Sequence, residues 1–186
     1  MKTLFQAARE LQEFFRGKDW RFCFIGGVAL QRWGEPRLTV DVDACLLTGF
    51  GGEEGFIRSL LDAYPARIPD AARFALENRV LLLRSADGVG FDVALAGLPF
   101  EEAIISRATA FEFLPEISLV TCSAEDLIVL KAFASRPRDW TDVEGVITRQ
   151  QGRLDKALIL ASLAPLCEVK NAPEILSRTR ALLESA

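Results

Sequence analysis

Apolar and polar residues alternate along this chain with two different periods. Leu4, Phe5, Ala8, Leu11, Phe14 and Phe15 recur every three or four residues, the stripe of an amphipathic helix whose polar positions include Lys2, Arg9 and Glu10. From Thr39 to Leu46 the period is two. Val40, Val42, Ala44 and Leu46 alternate with Thr39, Asp41, Asp43 and Cys45, which predicts a half-buried strand. Asp41 and Asp43 then share one face, roughly 6.5–7 Å apart along the strand. Arg21–Ile25 reads as a short buried strand, and residues 79–84 and 90–95 as two more around the turn Ala86-Asp87-Gly88. In the second of these, Phe91, Val93 and Leu95 occupy one face and Asp92 the other. Residues 108–113 and 117–120 read as further strands or partly irregular core segments.

Helical patterns fill the intervals. Gly26-Gly27 reads as a tight turn and Val28–Trp33 as a short helix whose free N–H groups point at whatever lies beside the glycines. Thr48–Gly52 is a flexible loop, followed by a helix over 53–63. In the last third, Ser123 caps a helix with Glu125 and Asp126 in its first turn, and Lys131 continues the face of Leu127 and Ala134. A lysine there either snorkels to the surface or meets a buried anion. Asp139 and Asp142 fit capping at the start of the next helix, and equally a pairing with Lys131. Gly152 ends that helix, and two closing helices, 154–164 and 174–185, are separated around Pro165 and Pro173.

With 186 residues, half of them hydrophobic, the chain can bury an ordinary core, so one compact core over residues 1–122 and a C-terminal helical region packed on it over 123–186 are expected. No apolar run approaches a membrane span and no apolar signal segment is visible, so a cytoplasmic protein is expected. Cys23, Cys45, Cys122 and Cys167 are widely spaced, which favours reduced thiols. The chain has no histidine, which removes histidine-dependent nucleophilic catalysis and histidine metal sites. A net charge of −4 argues against a broad nucleic-acid footprint, but Arg32, Arg37, Arg136 and Arg138 could form a local basic rim.

Candidate chemistry concentrates where the glycines and carboxylates meet. A lone D-x-D can decorate a solvated strand, yet Asp41, Asp43 and Asp92 together are a set that could bind hard cations and leave an attacking oxygen in line with a departing pyrophosphate. The glycine pair is neither a Walker A loop, since no Gly-Lys-Ser/Thr follows, nor a dinucleotide fingerprint. If the strand extends back to Arg37, that side chain shares the Thr39, Asp41, Asp43 face and can neutralise carboxylates or touch phosphate.

The run Gly26-Gly27-Val28-Ala29-Leu30-Gln31-Arg32-Trp33-Gly34-Glu35-Pro36-Arg37-Leu38-Thr39-Val40-Asp41-Val42-Asp43 resembles the signature of the DNA polymerase β-type nucleotidyltransferase superfamily, in its AbiEii-like, toxin-related branch. Asp92 matches the later aspartate, and Asp126–Lys131 followed by Arg138–Val143 matches the downstream helical motifs, so the likeness spans about Phe22 to Val146. It implies an α+β (mixed α/β) fold: a nucleotidyltransferase core with a short mixed sheet flanked by helices, then a C-terminal helical bundle. It also implies Mg2+ or Mn2+ held by Asp41, Asp43 and Asp92, and an NTP held by Gly26, Gly27, Arg37, Thr39 and Lys131. Asp41, Asp43, Asp92 and Lys131 would be catalytic, with Asp139 and Asp142 supporting. The implied acceptor is RNA such as a tRNA 3′ end or a protein hydroxyl, with a cognate toxin–antitoxin partner. The alternative is a nucleotide-binding regulatory or antitoxin module with little catalysis. One departure is Gly26-Gly27 where many members have Gly-Ser.

Overall fold

The computed structural model describes residues 4–185; Lys2, placed in the first helical pattern, lies outside them. In chain order the elements are α1 (Leu4–Gly17), β1 (Phe22–Phe24), α2 (Gly26–Trp33), β2 (Asp41–Leu47), α3 (Glu53–Ala63), α4 (Ala71–Asn78), β3 (Val80–Arg84), β4 (Gly90–Ala96), α5 (Pro99–Arg107), β5 (Thr109–Leu114), β6 (Ile117–Thr121), α6 (Ala124–Ala134), α7 (Pro137–Arg149), α8 (Lys156–Lys170) and α9 (Pro173–Glu184). They form two compact units. One comprises the chain up to Val28 together with Leu38–Cys122; the other comprises Ala29–Arg37 and the chain from Ser123 onward.

The first unit is built on a mixed sheet of six strands in the order β3-β4-β2-β1-β6-β5. β2 runs parallel to β4 and antiparallel to β1, while β1 and β6 are parallel. The alternation in β2 and β4 separates the two faces. Val42, Ala44, Leu46, Phe91, Val93 and Leu95 enter one core with Leu81 and Leu83 of β3, covered by Ala7, Ala8, Leu11 and Phe15 of α1, Ile57 and Leu60 of α3, and Ala71 and Ala75 of α4. Phe91 is fully buried there, and truncating such a ring to alanine costs about 3–5 kcal/mol. The polar residues of the same strands are thereby forced onto the opposite face, where Asp41, Asp43 and Asp92 are half-buried.

The second unit is helical. α6 is buried over most of its length and packs against α7 and α8. Its start is the expected serine cap: Ser123 Oγ accepts from the Asp126 N–H at 3.1 Å and donates to Asp126 Oδ2 at 2.9 Å. Residues 29–37 belong to this unit through Gln150, whose Nε2 donates to the Trp33 carbonyl at 2.8 Å.

Several boundaries differ from the sequence pattern for identifiable reasons. β2 starts at Asp41 rather than Thr39, because its partner β4 begins at Gly90, directly opposite Asp41. α2 starts at Gly26, so the glycine pair is the first turn of the helix itself, with Gly26 at φ +55°. Asp139 and Asp142 are not caps: α7 begins earlier, with Pro137 at its first helical position, and both aspartates are buried within it. α8 continues past Pro165 to Lys170. The proline and Ala161, whose carbonyl loses its partner, both face solvent, while Ile159, Leu163 and Cys167 keep an unbroken buried stripe. α4 and α5 are additional to the elements the pattern predicts, although Pro99 and Glu101 are a start signal for α5. The Glu101 carboxylate accepts from the N–H groups of Gly97 and Leu98 at 2.8 and 2.9 Å. The 48–52 loop is tethered rather than free: Thr48 and Gly49 donate to the Ala96 carbonyl, and the Arg79 guanidinium bonds the Gly49 carbonyl and stacks over Phe50.

All four cysteines are buried, and none of them is joined in a disulfide among the described residues. Among the described residues no helix is long and apolar enough to cross a membrane.

Candidate active site

The register of β2 against β4 places Asp43 directly beside Asp92, and Asp41 beside Gly90. Three carboxylates thus occupy one patch of one sheet face. Asp43 is held from the other side by the glycine pair: its Oδ2 accepts from the Gly27 N–H at 3.2 Å. The approach is so close that a β-carbon on Gly26 would strike the Asp43 carboxylate, and one on Gly27 would strike the Thr39 hydroxyl. Gly26, Gly27, Thr39, Asp41, Asp43 and Asp92 are therefore brought together. One N–H of the helix start serves a carboxylate of the protein.

Arg67, which sequence reasoning did not single out, enters the same patch. Its guanidinium pairs with Asp92 Oδ1 and lies 3.5 Å from Asp41 Oδ1. Its segment, Pro65-Ala66-Arg67-Ile68-Pro69, has neither period, so no pattern pointed to it. Gly90 was visible only as a strand start, yet a β-carbon there would strike both Asp41 and the Arg67 guanidinium. Burial pushes the Asp92 carboxyl above its ordinary range and the neighbouring Asp41 adds to that; the opposing pull of Arg67 is not enough to reverse it.

Arg37, Lys131, Asp139 and Asp142 form a different cluster, within the helical unit. Arg37 precedes β2, which begins at Asp41, so the strand alternation does not extend to it. Its Nε and one terminal nitrogen each donate to an Asp142 oxygen at 2.8 Å, a bidentate pair. The Lys131 ammonium donates to Asp142 Oδ2 at 2.7 Å and Asp139 Oδ1 at 3.0 Å. Lys131 is 9% exposed and the two aspartates 6% each, so this is a buried network and not a snorkelling lysine. Burial acts to raise the Asp142 carboxyl, but hydrogen bonds and charge from Arg37 and Lys131 outweigh it and hold it below the ordinary range. Asp139 Oδ2 is buried without a hydrogen-bond partner. Arg136 and Arg138 are exposed, and Arg32 stacks over Trp33.

Three aspartates on one face are hard oxygen donors of the kind that a divalent cation takes, so the residues fit such an ion in donor chemistry. As arranged here, no three acidic or thiol side chains among the described residues are grouped closely enough to hold a metal ion, and the carboxylate patch is instead paired with the Arg67 guanidinium.

A family model described as a nucleotidyltransferase of unknown function, DUF6036, matches residues 2–162. No curated protein matches the sequence significantly. Among solved structures, the chain is similar to an antigenic nucleotidyltransferase-like protein from Paracoccidioides brasiliensis, with TM-score 0.53 and 16% identity over 96% of this chain and 92% of that one. It is also similar to the antibiotic-resistance factor ANT(2'')-Ia, with TM-score 0.52 and 15% identity over 97% of this chain and 91% of that one. At such identities the likeness concerns the fold.

Proposed function

The chain belongs to the DUF6036 nucleotidyltransferase family, and from that membership we propose that it moves a nucleoside monophosphate from an NTP onto an acceptor hydroxyl, with Asp41, Asp43 and Asp92 at the reacting phosphate. The observation that carries this reading is the β2–β4 register, which sets Asp43 beside Asp92, with Asp41 on the same face and the glycine start of α2 against Asp43.

The division of labour follows from each group's surroundings. Asp41, Asp43 and Asp92 would hold Mg2+ or Mn2+, which when bound neutralises phosphate charge and favours in-line displacement. Asp92, on the same face as the other two carboxylates, would take the proton of the attacking hydroxyl as the new bond to the α-phosphorus forms and pyrophosphate leaves. The Thr39 hydroxyl stands against Gly27 and offers a polar contact beside the helix start. The acceptor in this reading is an RNA 3′ end, such as that of tRNA, in a toxin–antitoxin setting with a cognate partner. A narrower reading, a nucleotide-binding regulatory or antitoxin module, draws on the neutralisation of the carboxylates by Arg67.

Incubation with each labelled NTP, Mg2+, total RNA and cell lysate tests this directly. Label that disappears with ribonuclease and survives protease is expected. Protease-sensitive label would move the acceptor to a protein, and no label with any NTP would favour the regulatory module.

A further inference from the structure

We infer that Arg67 is a built-in counter-ion that competes with a divalent cation for Asp41 and Asp92, so that this arginine sets how tightly the site takes metal. The inference rests on the proposal that these carboxylates are metal ligands.

The placement of Arg67 is constructed from the backbone outward. Its N–H donates to the Leu82 carbonyl at 3.0 Å, the Arg84 N–H donates to the Pro65 carbonyl at 3.0 Å, and Ala66 bridges Leu83 in antiparallel fashion. Residues 65–67 therefore lie along the outer side of β3. Leu82 stands opposite Asp92, and Asp92 opposite Asp43. Arg67, Leu82, Asp92 and Asp43 consequently form one row across the sheet, and a side chain as long as arginine can reach over Leu82 to the carboxylates. Gly90 completes the arrangement by leaving the space in which the Asp41 carboxylate and the guanidinium meet.

The pairing is suited to exchange. The guanidinium uses Oδ1 of Asp41 and Oδ1 of Asp92, so it and a cation would draw on the same two carboxylates. The Arg67 side chain retains 28% exposure, so it can withdraw toward solvent while its backbone stays anchored. Adjacent carboxylates repel when uncompensated, and Arg67 relieves that repulsion without an ion. The same favourable pairing is lost when metal enters.

Mn2+ binding read by electron paramagnetic resonance, without nucleotide, tests the inference on wild type, Arg67→Met, Arg67→Lys and Asp43→Asn, each checked for folding by circular dichroism. Arg67→Met is expected to bind Mn2+ about tenfold tighter or better, as removal of a unit charge next to two ligands implies. Arg67→Lys, which keeps the charge with a single ammonium, should fall between. A residue that merely braced the site would give weaker binding on removal. Arg67→Met binding Mn2+ no tighter than wild type, while Asp43→Asn loses it, overturns the competition and leaves the metal assignment standing. No saturable Mn2+ binding in wild type or either Arg67 variant overturns both. If Arg67→Met fails to fold, Arg67→Lys decides alone: unchanged or weaker affinity overturns the inference.

Discussion

Lys131 shows how much rests on a single side chain. It is the ammonium between two buried carboxylates, and Arg37 is the second cation on Asp142. Removing one partner of a buried ion pair leaves the other charge uncompensated, so Lys131→Met should cost about 3–5 kcal/mol in urea unfolding. The pH dependence has a definite sign. The folded-state pKa of Asp142 is lowered, so its contribution is present above the ordinary aspartate value near about 4 and fades as pH falls through the folded value. Asp142→Asn should flatten the decline in stability below about pH 4, and an unchanged acid profile would remove Asp142 from that account. The glycine pair makes a second residue-level case. A serine at position 27 has no room beside the Thr39 hydroxyl, which explains Gly-Gly here in steric terms. Gly27→Ser should destabilise, and Thr39→Gly should recover part of the loss in the double variant, a coupling measurable by a double-mutant cycle.

At the scale of elements, legibility followed periodicity. The alternation of β2 and β4 identified the faces of Asp41, Asp43 and Asp92, but pairing between strands is a long-range fact, and only the register shows that Asp43 and Asp92 are immediate neighbours. Ser123 was readable because its cap is local. Arg67 was not, because its reach depends on a bridge to β3 some sixteen residues later, made by a segment with no pattern of its own. The condition under which Arg37 would share the Asp41 face is not met, because β2 begins only at Asp41, where its partner β4 also begins. Pro165 misled in the opposite direction: a helix breaker was weighed without the buried stripe that carries α8 across it. Proline costs about 3 kcal/mol in a helix interior relative to alanine, so Pro165→Ala should raise unfolding stability by roughly 1–3 kcal/mol. A loss instead would mean that the proline's shape is required locally.

For the molecule as a whole, the decisive quantity is whether nucleotide and metal favour the folded state through the aspartates. The chain carries a net charge of −4, to which the three carboxylates on one sheet face contribute, so NTP alone should meet electrostatic resistance. NTP with Mg2+ or Mn2+ should therefore raise the melting temperature where either component alone does little. At a free ligand concentration of about a hundred times Kd, mass action supplies about 2.7 kcal/mol. Asp43→Asn keeps an acceptor for the Gly27 N–H but loses the charge, so the unliganded fold should survive while the gain disappears. A thermal-shift series across the four NTPs then separates binding from transfer. Equal stabilisation of wild type and Asp43→Asn would take Asp43 out of the site, whereas stabilisation lost in Asp43→Asn without any labelled product would make the carboxylates a nucleotide-binding device rather than a catalytic one.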